Sequence, residues 1–219
     1  MRHKILVSFS AWMMLTGTAA VAGGKAAPVV VEPAAQAAAA RTLKELGGQA
    51  GQRLAGMPAR EQMDKAAPGE PFAVHMVRLD ELQRYQPAAA ADPAALLHDT
   101  ATVVYPIQVA GKVSGAMVMG KENGTWSARR FVGASRIQAL EKVRGQVINT
   151  AGVSTGSTML VRVPALNIEL IAHRDAAGLQ LTPVTDFPAA GLKAGETLPA
   201  SRVFELLLPL ATEHNGLPT

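Results

Sequence analysis

The sequence predicts an α+β fold: an antiparallel sheet of two three-stranded β-meanders, each followed by a helix, with the helices covering one face. Three observations carry that prediction. The stretch 103–132 alternates with a period of two and is interrupted at Gly111 and at Asn123-Gly124, the pattern of strands joined by tight turns. An amphipathic run follows at 135–148. The order of three strands and a helix then recurs from 158 to 211, and segregated strands and helices mark α+β rather than α/β.

The chain opens on Arg2, His3 and Lys4, then runs uncharged from Ile5 toward Ala20-Val21-Ala22 before Gly23. A basic start, an apolar stretch and an A-x-A site read as a secretory signal peptide over 1–22, with cleavage after Ala22 and a periplasmic or secreted mature protein. The competing reading is an uncleaved anchor, because the uncharged run approaches the length of a spanning helix. Thr16, Gly17 and Thr18 weaken its second half as a membrane helix. Cysteine is absent, which excludes a disulfide framework and thiolate nucleophiles or ligands.

With Arg2 and Lys4 removed from the 21 basic residues, 19 remain against 17 acidic ones. The basic residues are scattered, Arg129-Arg130 being the one adjacent pair after the signal, and aromatic residues make up 4%. Nucleic-acid partners want a basic stripe interleaved with stacking rings, so no nucleic-acid partner is expected.

Residues 23–40 are Ala-rich and broken by Pro28 and Pro33, the composition of a flexible linker. A single α+β domain is expected over 41–219. Its first element is a weak helix from Arg41, with Leu43, Leu46, Ala50 and Leu54 at helical intervals and four glycines interrupting. A strand from Pro71 turns helix-like at Leu79, Leu82 and Tyr85. Asp92 then caps a turn begun by Pro93, with Leu96 and Leu97 toward the core. In the first meander Tyr105, Ile107 and Val109 share one strand face, and Asn123-Gly124 suits a type I′ turn because both residues tolerate positive φ.

Ser135 is the expected N-cap of the next helix. Ile137, Leu140, Val143 and Val147 form its apolar stripe, with Arg136, Glu141, Lys142 and Arg144 off it. The second meander places strands at 158–164, 166–174 and 179–184, turns at 175–178, and ends in a helix at 200–211. Matching positions of Gly124 and Gly178 suggest an internal duplication of 102–148 and 158–212.

Little of this carries chemistry. Gly152-Val153-Ser154-Thr155-Gly156 matches the nucleophile-elbow pattern, but the elbow needs a strand before the serine and a helix after it. The order here is helix, loop, strand, so Ser154 reads as part of a connector. His75, His98, His173 and His214 show no ligand spacing, and Glu169 and His173 are separated by Ile171 on one strand face. No metal site and no cofactor is expected. Asp80 is expected to cap a helix and Asp175 to form a turn, while Asp186 and Glu196 lie in loops. Asn123-Gly124-Thr125 matches a glycosylation sequon that the turn itself explains. Met76, Met117, Met119 and Met159 suit either an adaptable groove or a filled core.

The resulting expectation is an exported, non-enzymatic module that binds a protein or peptide partner or supports an envelope assembly, touching a membrane only through an uncleaved signal. The alternative is a periplasmic hydrolase whose site is assembled from several loops.

Overall fold

A computed structural model describes residues 31–48, 65–87 and 92–214. The expected signal peptide, 1–22, and the helical positions Ala50 and Leu54 lie outside the described residues. The fold is α+β. Its nine strands are β1 (Ala66–Pro68), β2 (Phe72–Met76), β3 (His98–Val109), β4 (Lys112–Glu122), β5 (Thr125–Gly133), β6 (Thr158–Val163), β7 (Ile168–Asp175), β8 (Gly178–Pro183) and β9 (Leu198–Pro199). Among the described residues there are four α-helices: α1 (Pro33–Gly48), α2 (Leu79–Gln83), α3 (Ala134–Ala151) and α4 (Ala200–Glu213).

All nine strands form one sheet in the order β5-β4-β3-β2-β6-β7-β8-β9, with β1 added beside β3. Neighbours are antiparallel except β2 and β6, which pair in parallel through Ala73–Met159 and Val74–Leu160. The expectation of an antiparallel sheet of two meanders is therefore corrected to a mixed sheet, mostly antiparallel, in which two inner strands pair in parallel. The physical reason is burial. β2 and β6 are the innermost strands and carry apolar residues on both faces, as parallel pairs require, and the long connection between them runs through β3, β4 and β5 and returns by α3.

The hairpin turns fold as their residues dictate. Ala110-Gly111 and Asn123-Gly124 all take positive φ, between 49° and 79°, the signature of a type I′ turn whose twist matches the flanking strands. At the β7–β8 turn the Asp175 carboxylate accepts from Ala177 N–H at 2.8 Å, and Gly178 sits at φ 114°.

Helices lie on both faces, not one. α3 packs Ile137, Leu140, Val143 and Val147 onto Phe72, Val74, Val104, Leu160 and Ile171, here called the front face. α4 packs Val203, Phe204, Leu207 and Ala211 onto Val161, Val163, Leu170 and Leu181. Those strand residues alternate with the front-face set, so α4 lies on the back. α1 is also on the back, its Ala35, Ala38, Ala39 and Leu43 resting on Val103, Tyr105, Ile107, Met117 and Met119. Strands this apolar on both faces cannot leave either in water, which is why one helical layer does not suffice.

Two local expectations also change. Residues 33–40, expected as linker, form the first half of α1, because alanines at Ala35 and Ala39, both 0% exposed, allow the helix to approach the sheet closely. Ser135 is not the N-cap of α3; Gly133 holds that position without a side-chain cap.

Candidate functional site

The sheet leaves an opening beside the start of α1, along β2. Two cavities occupy it. One, of about 390 Å³, is lined by Val31, Gln36, Gly69, Glu70, Pro71, Ala73, Gln108 and Thr158, among others. The second, of about 160 Å³, is lined by Val31, Glu32, Ala73, His75, Asp99 and Trp126, among others. Val31 and Ala73 belong to both, so the two adjoin along β2 and are together called the groove.

Each wall has an identifiable support. At one side Glu32, just before α1, accepts from Lys121 Nζ at 2.7 and 2.9 Å and from Trp126 Nε1 at 3.1 Å. These bonds hold its carboxyl below the usual range and tie the start of the helix to β4 and β5. At the mouth, Gly69 N–H donates to Pro106 O at 2.7 Å. The carbonyls of Glu70 and Pro71 each accept from Arg144 at 3.0 Å. Arg144 reaches through from the front face: it is 2% exposed, pairs with Glu141, and lies 3.6 Å from the centroid of the Phe72 ring, a cation–π distance. Its expected place off the apolar stripe is corrected. At 3.6 residues per turn position 144 follows 137 and 140 on the same face, so the guanidinium is buried and clamps the groove's loop. Burial disfavours both charged forms, pushing Glu141 up and Arg144 down, against their mutual attraction.

The far end of the groove is shaped by a bulge in β3. The register moves from Val74–Thr102 to His75–Asp99, leaving Thr100 and Ala101 as extra residues. Asp99 accepts from Ala101 N–H at 2.9 Å, and Thr100 Oγ1 donates to Val74 O at 2.7 Å, replacing the interrupted ladder. Ala101 is held at φ 48°, an unfavourable conformation for a residue with a Cβ. Bulges re-aim side chains beside functional sites, and this one brings Asp99 opposite His75. The His75 ring is held below its ordinary pKa by burial, with Asp99 opposing, and its Nδ1 is buried without a hydrogen-bond partner.

The other candidates from the sequence lie elsewhere. His98 bonds Glu81 at 2.5 Å. His173 is 1% exposed on the front face, opposite Thr158 and Gln180, its Nδ1 unpartnered and its pKa lowered by burial against Asp175. His214 follows α4, its N–H on Ala211 O. Ser154 Oγ bonds Ser157 Oγ at 2.7 Å in the connector to β6. Asp80 does not cap α2; it pairs with Arg84 and Arg78. Asp186 braces its loop through Ala194 N–H, and Glu196 is exposed. Met117 and Met119 are both 0% exposed under α1 and fill the core, not a groove.

The groove itself was not legible in the sequence. Its walls come from Val31, Ala73 and Gly156, residues far apart in the chain, and the single available signal was the helical spacing that puts Arg144 on the buried stripe. No protein-family model, curated protein or solved structure matches the chain.

Proposed function

We propose that the protein is an exported, non-enzymatic module that holds an extended segment of a protein or peptide partner in the groove along β2. The observation that carries this reading is the groove's shape. It follows residues 71–75, and at about 3.3 Å per residue that is roughly 13 Å, the length of about four extended residues. A floor of strand backbone with separate side pockets suits extended-peptide recognition. Export rests on the leader 1–22, which predicts a mature protein beginning at Gly23; N-terminal sequencing that returned Met1 would refute it.

A photo-crosslinker at Gln36, in the groove wall, should trap a partner from the native envelope, whereas one at Lys142, on α3, should not. Ala73→Trp, which fills the shared floor, should abolish the product. Equal crosslinking from both positions, or a product indifferent to Ala73→Trp, would sink the proposal. One observation favours a hydrolase instead: His75 and Asp99 line the same cavity. That alternative requires His75→Ala to abolish a measured hydrolysis.

We further propose that the two halves, 102–148 and 158–212 with the inner strands, share an origin. Each runs outward from the parallel pair and closes with a helix, and a two-fold axis along the strands requires those helices on opposite faces. An experimental structure in which α3 and α4 fail to superpose under that rotation would refute it.

A further inference from the structure

At the start of α3, on the front face, two guanidinium groups meet one carboxylate and a third lies on the same face. Glu169 accepts from Arg136 Nε at 3.0 Å and Nη2 at 2.6 Å, and from Arg162 Nε at 2.9 Å. Glu169 is therefore well satisfied by two partners. Arg130, opposite Val118 on the front face of β5, adds a third positive charge on this face; the Arg162 pKa is lowered chiefly by burial, with Arg136 and, least of all, Arg130 adding to it. Among the described residues Arg130 makes no hydrogen bond or ion pair, and Arg162 spends only its Nε on Glu169, its terminal nitrogens having no hydrogen-bond partner there.

This arrangement is unfavourable by itself. Arg136, Arg162 and Arg130 on this face outnumber Glu169, leaving a surplus of two positive charges. The cluster also adjoins the N-terminus of an 18-residue helix that has no acidic residue in its first turn and no side-chain cap. That end carries partial positive charge and free N–H donors, which attract anions and repel cations. A structural ion pair needs neither Arg130 nor the bare helix end.

We propose that this cluster binds a phosphate group. Guanidinium forks with spare donors suit a doubly charged oxyanion better than a singly charged carboxylate, and the uncapped helix end adds positive potential beside them. Glu169 then serves as a positioning residue: it orients two arginines while competing with the ligand for them.

That competition gives the test two opposite signs. Titration of the purified protein with inorganic phosphate, followed calorimetrically at fixed ionic strength, should show one saturable site. Arg130→Ala, an exposed position whose loss leaves the Glu169 pairs intact, should weaken it on the order of tenfold, the effect of one charge-assisted hydrogen bond. Glu169→Gln keeps an acceptor for Arg136 and Arg162 but removes the competing charge, so it should tighten binding. A purely structural cluster would not bind more tightly on losing its carboxylate. A parallel arm with phosphatidic acid vesicles distinguishes a headgroup from free phosphate; binding there with the same order of variants supports the site. The proposal is overturned if neither probe binds, if chloride at equal ionic strength matches phosphate, or if Glu169→Gln fails to tighten binding.

Discussion

Arg144→Ala is the most informative single substitution. The wild-type side chain, 3% exposed, makes two hydrogen bonds to the Glu70 and Pro71 carbonyls, pairs with Glu141 and stacks on Phe72. Alanine strands all of these partners. Breaking a buried ion pair on one side costs about 3–5 kcal/mol. Glu141 keeps 27% of its side chain exposed, so it regains some hydration, and about 3 kcal/mol is the appropriate figure. For a chain of this size that corresponds to a fall in Tm of roughly 6–12 °C. Arg144→Lys should recover little, since an ammonium cannot make the fork or stack as a guanidinium does. Arg144→Met with Glu141→Leu should recover much of the stability, because a matched apolar pair replaces a desolvated ionic one, while the loop at Glu70 and Pro71 stays unclamped. Thermal melts monitored by circular dichroism measure all three. A drop below about 2 °C for Arg144→Ala would show that the guanidinium is not the clamp described.

Three further outcomes follow from particular residues. At Gly124 and Gly178 an added Cβ meets no atom within 4 Å, so the cost of Gly124→Val and Gly178→Val is chiefly backbone strain, about 1–3 kcal/mol. Gly178, at φ 114° against 79° for Gly124, should lose more in a denaturant titration, and parity with the parent at either site would refute the turn. Tyr105→Phe should leave stability unchanged or raise it by about 1 kcal/mol, because the hydroxyl is buried without a partner and its pKa is pushed up to about 12 by burial; a lower Tm in the variant would contradict this. His173 and His75 both have folded pKa values below the usual 6.5, so the unfolded chain binds more protons. Stability should be full above pH 6.5 and fall as pH drops below it. His173→Gln should flatten the Tm–pH curve below about pH 6.5, and an unaltered slope would refute the assignment.

What the sequence determined by itself is whatever depends on neighbours along the chain. The β3–β4–β5 hairpins were legible because Ala110-Gly111 and Asn123-Gly124 set their own φ angles, and turn geometry then fixes register. The core stripe of α3 and the exclusion of an elbow at Ser154 were legible for the same reason. Tertiary structure alone decided the rest. The parallel pairing of β2 with β6 joins segments more than eighty residues apart, and nothing in either strand's local pattern names its partner. The alanines of 33–40 look like a linker until an apolar face needs cover; then small side chains become an advantage, because they let a helix lie close to the sheet. Arg144, Glu169 and Ala73 show the limit most clearly. Whether a charge is exposed, paired or clamping a loop depends on what the fold brings against it, and that is settled by packing between distant elements, not by residue order.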